Sequence, residues 1–367
     1  MLEKNDSLRL TVLRFPLMVG VVFIHAFGAG LSVDRHLGLI ATDGPVYVFI
    51  TNLVSQGLAR TAIPVFFLFS GYLFFHGWVS IRASYCARIL SRTRSLLIPY
   101  VFWNGLLLGA ILLLQLVPNL ASQLSIRTEP LGTSTAEDII INLLGDPSKG
   151  GQPIAYQFWF VRDLMLLTLF SPLVFLLVRF LGWAAPLALA CGWFAGLSLQ
   201  VPATEGILFF TLGAYLQMTC RSLFALDRIG PACALLYLPL LFVDAALLGK
   251  MTTPWPFHTT VIAVGIVVVL WVSQWMASHH RIAAPLARLG AGSFFLFAAH
   301  EPLLTLLKKA VYLTLHPSSE WGGLAAYFLL PTATVLLCTG AFALLARAAP
   351  RFTAMITGGR HKPTSSH

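Results

Sequence analysis

Residues 13–28 read LRFPLMVGVVFIHAFG, an apolar run that carries Arg14 near its start and His25 near its end. About 20 apolar residues cross a hydrocarbon core, so the run has nearly the length of a span. Yet a basic side chain at the bilayer centre costs about 2–3 kcal/mol or more. Either the segment does not cross the membrane, or these two residues act inside it.

Composition decides for the membrane. Hydrophobic residues make up 57% of the 367-residue chain and charged residues 10%, with a mean hydropathy of +0.80. An ordinary soluble domain is about 25% charged, and no soluble fold of this length manages with so little polar surface. Apolar runs of spanning length recur along the chain. The sequence therefore reads as an all-α polytopic membrane protein with about ten transmembrane helices and no separate soluble domain. The spans fall near 9–31, 58–78, 96–117, 157–179, 183–200, 205–219, 232–249, 258–276, 292–313 and 322–346. The membrane unit is expected over 1–348, followed by a short, basic, disordered cytoplasmic tail over 349–367. LEKNDSLR ahead of the first run raises a signal peptide. That run, however, holds Arg14 and Pro16 and leads into more membrane, so it reads as a retained span.

A net charge of +10 would point to nucleic acid in a soluble chain. Here no aromatic-interleaved basic groove accompanies it, and the positive-inside bias of short loops accounts for it. Basic residues cluster at Arg82, Arg88, Arg92 and Arg94, at Arg221 and Arg228, at Arg281 and Arg288, and at Arg347, Arg351, Arg360 and Lys362. Placing both termini in the cytoplasm puts every one of these clusters on the cytoplasmic side. Two long loops, 32–57 and 118–156, then face the other way, the second with Thr135 as a candidate cap of a short amphipathic helix. Five scattered cysteines without a C-x-x-C pair or a histidine at ligand spacing argue against a zinc site or disulfide framework, and no metal site is expected.

Arg14 and His25 are eleven residues apart. Eleven steps of 100° return to within about 20° of the starting direction, so both face one side of a helix. They stand about 16 Å apart along the axis, too far to touch, as two stations on one internal path. Taken alone, Arg14 also fits a snorkelling interfacial arginine, and His25 a helix–helix hydrogen bond. His300, beside Glu301 in SFFLFAAHEPLL, places a second histidine at intermediate depth, either in the same cavity or as a brace between helices. His258, His279, His280 and His316 lie at loop edges, where solvated histidines need no explanation. Arg88 and Arg92, four apart, share a helical face, as a phosphate grip or a cytoplasmic anchor would require. Arg162 and Asp163 are adjacent and do not face each other on a helix, so their partners are expected elsewhere. Ser70 has no G-x-S-x-G elbow around it; with Gly71 it reads as close helix packing. The chain also lacks a P-loop, a dinucleotide-binding G-x-G-x-x-G and the H-x-x-x-D of soluble acyl-transfer enzymes.

R-x10-H in the first span resembles the signature of the acyltransferase-3 family of membrane O-acyltransferases. The order of IPVFFLFSGYLFF, SRTRSLLIPYVFWN, FWFVRDLMLLTLFSPL, FFTLGAYL and SFFLFAAHEPLL is similar to that family over about residues 10–310. The resemblance implies about ten helices in a bacterial inner membrane and transfer of an acyl group, most often acetyl, from cytoplasmic acyl-CoA. It implies a hydroxyl acceptor on a surface or exported carbohydrate, with a lipid, lipid-linked saccharide or peptidoglycan acceptor as variants. Membrane lipids, and a second copy of the chain, complete the expected partners. By position Arg14 and His25 are the family's essential pair. Arg88 and Arg92 stand where the family has its basic loop, here spaced R-x-x-x-R rather than R-x-x-R. Arg14, with Arg88 or Arg92, would bind donor phosphate, and His25 would act as general base or form an acyl-histidine. His300 and Glu301 would orient His25 or bind the acceptor. The rival from another class is a transporter or flippase for a lipid-linked saccharide, which has no reason to bind acyl-CoA.

Overall fold

The computed structural model describes residues 4–27, 44–78, 81–116, 140–141, 143–145, 151–248, 255–317 and 319–359. The first helix, α1 (Lys4–Ala26), starts five residues before the expected span. It lies against α2 (Pro45–Phe75), α10 (Trp255–Ser278), α11 (His280–Gly290), α12 (Ser293–Leu315) and α13 (Glu320–Ala348). A helix surrounded in this way can present polar groups to the protein interior rather than to lipid, which lowers their cost.

Each of the ten expected spans contains helix, but not every one is a helix of spanning length. Among the described residues, six helices are long and apolar enough to cross, or eight if two bent pairs each count as one span. Helices α7 (Ala184–Phe194) and α8 (Thr204–Met218) have 11 and 15 residues. At 1.5 Å per residue they rise only about 16 and 22 Å, short of a core about 30 Å thick. The expected span 157–179 is broken between α5 (Trp159–Leu169) and α6 (Ser171–Leu181), which meet at 64°. Pro172 follows the break, and its missing N–H makes it a helix starter rather than an interior residue.

The region expected as an outer loop, 32–57, is helical from Pro45 onward. In α2 an α-helical turn runs into a π-helical segment, Asn52–Leu58, and then a 3₁₀ turn, Ala59–Thr61, before the α-helix resumes. The polar residues that interrupt the apolar pattern there are satisfied by tertiary contacts. Asn52 Nδ2 donates to the carbonyls of Ala245 and Leu248 at 3.2 and 3.3 Å. Ser55 Oγ donates to the Phe23 carbonyl at 2.6 Å and lies 2.7 Å from the Tyr327 hydroxyl. Thr135 and most of 118–156 lie outside the described residues.

The basic stretch forms α3 (Ile81–Arg92), which passes through a π turn, Thr93–Leu97, into α4 (Ile98–Gln115). Helix α9 (Gly230–Leu247) packs beside α10. The expected disordered tail instead begins with α14 (Pro350–Ile356). Its Ile356 is buried and its Ile356 carbonyl accepts from Trp103 Nε1 at 3.1 Å, so an apolar residue and a backbone acceptor dock it on α4.

Helices α2 and α8 cross at backbone contact distance. A Cβ on Gly71 would fall 2.1 Å from the Phe210 carbonyl oxygen, and one on Gly213 would fall 2.3 Å from that of Leu68. Only glycine permits this approach, as in close-packed membrane helices. This is the packing expected around Ser70 and Gly71. Arg9 fastens the N-terminal half of α1. It pairs with Asp227 at 2.6 Å, donates to Ser273 Oγ and the Leu270 carbonyl, and lies over the Phe224 ring at 3.6 Å.

Candidate functional site

A cavity of about 290 Å³ runs along α1. Leu10, Arg14, Met18, Val21 and His25 form its α1 wall, a stripe with spacings of four, four, three and four residues that stays on one helical face. The same-face placement of Arg14 and His25 therefore holds in three dimensions. The opposing walls are Phe66, Phe69, Ser70 and Leu73 of α2, Gln157 just before α5 and Trp159 at its start, and Ser293, Phe294 and Phe297 of α12.

The two ends differ in chemistry. At one end are Arg14 and Arg92. Helix α2 runs antiparallel to α1, since Ser55 meets Phe23 and Ala59 meets Gly20. The end of α2 that holds Phe74 therefore lies beside the N-terminal half of α1, and the Arg92 guanidinium sits 5.7 Å from the Phe74 ring. Arg14 is exposed although it lies mid-helix. Among the described residues neither Arg14 nor Arg92 has an ion-pair partner, which leaves two guanidinium groups free to meet an anion. A second recess of about 340 Å³, lined by Phe74, Arg88, Ser91, Arg92 and Ser95, shares Arg92 with the first.

Arg88 is differently employed. It donates from Nη1 to the Phe74 carbonyl and from Nη2 to the His76 carbonyl, and it lies 5.6 Å from the Trp78 ring. These carbonyls end α2 and have no intrahelical donor, so Arg88 closes that helix terminus while lining the second recess.

At the other end His25 occupies the last turn of α1, half-buried. His300 and Glu301, both buried on α12, stand beside it. The His25 and His300 rings are 5.0 Å apart between centroids, and His25 Nδ1 is 3.9 Å from Glu301 Oε1. His300 Nδ1 lies 2.7 and 3.1 Å from the carbonyls of Phe297 and Leu296. Carbonyls only accept, so Nδ1 carries the proton and Nε2 is left buried without a partner among the described residues. Of the six expected site residues, five line the cavity or its His25 end, and Arg88 lies in the adjoining recess.

Two residues at this end escaped sequence reading. Tyr156, just before α5, places its hydroxyl 3.1 Å from His25 Nδ1 and donates it to Glu301 Oε1. Lys308, buried on α12, donates from Nζ to the His25 carbonyl at 2.6 Å. That carbonyl lies in the last turn of α1, where acceptors lack helical donors. Lys308 lies seven residues after Glu301, a spacing that returns to the same helical face, and this was the available signal. Tyr156 carries no such signal, because it belongs to a Gly- and Pro-rich approach to α5.

Two sequence expectations are corrected. Arg162 and Asp163 do pair with each other, Arg162 Nη2 and Nε reaching Asp163 Oδ1 at 2.9 and 3.1 Å. The arginine chain is long enough to fold back across one residue at the start of α5. The pair also binds elsewhere: Arg162 Nη1 donates to the carbonyls of Leu144 and Gly151, and Asp163 Oδ2 accepts from the Ala203 amide at 2.8 Å. Both are buried and clamp three connecting segments. His258, expected as a solvated loop residue, is in the first turns of α10 with Nδ1 2.8 Å from Asp244 Oδ2 on α9. Among the described residues no three His, Cys, Asp or Glu side chains converge as a metal site requires.

The profile of the acyltransferase-3 family, described as an acyltransferase domain, matches residues 8–343. The chain is also similar to the succinoglycan biosynthesis protein ExoH of Rhizobium meliloti (strain 1021). The two are 23% identical over 98% of this chain and 94% of that protein. No solved structure matches the chain. The family match takes in every element that walls the cavity, from α1 to α12, so this multi-pass membrane protein belongs to the acyltransferase-3 family.

Proposed function

We propose that the protein transfers an acyl group, most often acetyl in this family, from cytoplasmic acyl-CoA to a hydroxyl of a surface or exported polysaccharide. The observation that carries the reading is the polarity of the cavity: unpaired arginines at one end and His25 about 16 Å away along α1 at the other. Acyl-CoA has the matching polarity, with phosphates at one end and a thioester at the other. Arg14 and Arg92 bind phosphate oxygens through charge-assisted hydrogen bonds, and the arm lies along the aromatic walls. His25 removes the proton from the acceptor hydroxyl as its oxygen attacks the thioester carbon. The C–S bond breaks, and the imidazolium returns the proton to the departing CoA thiolate.

The polysaccharide acceptor is supported by the near full-length similarity to a succinoglycan biosynthesis protein. The orientation that suits a cytoplasmic donor places both termini in the cytoplasm of a bacterial inner membrane, as the basic clusters favour. The test is ester analysis of surface polysaccharide from cells carrying the wild type, His25→Ala or no protein. His25→Ala is expected to abolish the ester while still inserting and accumulating. Undiminished esterification by that variant removes the base assignment. Failure of free CoA to raise the thermal unfolding temperature of the purified wild type removes the donor assignment.

A further inference from the structure

The contacts around His25 determine which of its nitrogens can act. Glu301 receives two hydrogen bonds, from the Tyr156 hydroxyl on Oε1 and from Thr305 Oγ1 on Oε2 at 2.7 Å. Both carboxylate oxygens therefore accept, as in an ionised group. A hydroxyl has one hydrogen, and the Tyr156 hydrogen is committed to Glu301. Its oxygen, 3.1 Å from His25 Nδ1, then faces that nitrogen with lone pairs only. The pairing is favourable when Nδ1 carries the proton, so Nε2 holds the lone pair of the neutral ring. His25 lines the cavity, and among the described residues Nε2 has no hydrogen-bond partner. The backbone beneath the ring is held as well, by Lys308 on the His25 carbonyl.

We propose that Tyr156 is the positioning residue of this site, its hydroxyl linking the Glu301 carboxylate to His25 Nδ1 so that Nε2 is presented to the substrate. The proposal rests on His25 being the base. Glu301 is too far from His25 for a direct hydrogen bond, at 3.9 Å, and the tyrosine hydroxyl spans that gap. When His25 takes a proton at Nε2, Nδ1–H stays bonded to the Tyr156 oxygen and the carboxylate charge lies one hydrogen bond away. No proton needs to leave Tyr156 or Glu301 in the cycle. The tyrosine ring also packs edge-on against the imidazole, 5.2 Å between centroids, which restricts rotation of His25.

The test uses the full-length protein in lipid nanodiscs with polysaccharide from cells lacking it as acceptor. The donor is acetyl-CoA, or the CoA thioester of whichever acyl group mild alkali releases from wild-type polysaccharide. Tyr156→Phe keeps the ring and removes the link. General-base catalysis contributes about 10²–10⁴-fold, and misplacing the base is expected to lower kcat by about 10–100-fold. KM for the donor stays within about threefold, because the donor end of the cavity is untouched. Glu301→Gln breaks the same link from the other side, so the double variant is expected to be no worse than the poorer single variant. A purely structural role predicts multiplied losses, or a lowered unfolding temperature with KM and kcat moving together. Wild-type kcat in Tyr156→Phe, or multiplied losses in the double variant, overturns the proposal. If Tyr156→Phe does not accumulate, an unchanged kcat in Glu301→Gln overturns it and a 10–100-fold loss supports it. The parent reading fails separately: activity in His25→Ala removes the base, whereas inactive His25→Ala with fully active Tyr156→Phe removes only the tyrosine link.

Discussion

Arg14→Gln separates binding from folding. The Arg14 side chain has no ion pair or hydrogen bond among the described residues and reaches the cavity exposed. Its removal breaks nothing in the protein, so the thermal unfolding temperature without ligand is expected to stay within about 2 °C, as for changes within ±0.5 kcal/mol. The loss falls on the donor. Hydrogen bonds to charged groups contribute about 1.5–3 kcal/mol, equivalent to about 10–150-fold in binding. Arg14→Lys retains the charge but not the planar fork and is expected to fall between wild type and Arg14→Gln. The assay is initial-rate acyl transfer over a range of donor concentrations, with unfolding of the same preparations with and without CoA. KM for donor rises about 10–150-fold in Arg14→Gln, and stabilisation by CoA falls in step. Unchanged rates at limiting donor refute the phosphate role. A large drop in ligand-free unfolding temperature refutes the premise that the guanidinium is unpaired.

Two further expectations concern the scaffold. Asp163→Asn keeps the shape of the side chain but leaves the Arg162 guanidinium buried without its counter-charge; such a break costs about 3–5 kcal/mol, seen as a markedly lower unfolding temperature and faster proteolysis at the segments the pair clamps. An unchanged unfolding temperature would show that the clamp is not structural. Gly213→Val places side-chain carbon against the Leu68 carbonyl and the Tyr72 amide, forcing α2 and α8 apart. The overpacking is expected to destabilise by about 1–3 kcal/mol, whereas Gly109→Val, where nothing lies within 4 Å of the added carbon, should leave thermal unfolding near wild type.

What could be read without coordinates was whatever has a period or a composition. Low charge and recurring apolar runs placed helix in all ten expected segments, and the eleven-residue spacing of Arg14 and His25 put both on the wall of one cavity. Lengths were less legible. Hydropathy sees neither the bend at Phe170, which divides α5 from α6, nor the π segment at Asn52–Leu58, which keeps a polar stretch helical. Both depend on neighbours that satisfy or block particular backbone groups. Adjacency rules also failed at Arg162 and Asp163, because a long flexible side chain in a buried first turn follows the nearest carboxylate rather than the average helix geometry.

By itself the sequence determined that the chain is helical, lies in a membrane and carries a two-station polar face on α1, since helical phase and hydropathy are local properties. Only the tertiary structure decided what stands opposite that face. Tyr156, His300, Glu301 and Lys308 come from segments more than 130 residues away in the chain from His25. Their meeting is set by how α12 and the start of α5 pack on α1, and packing is a relation between elements that no single stretch encodes.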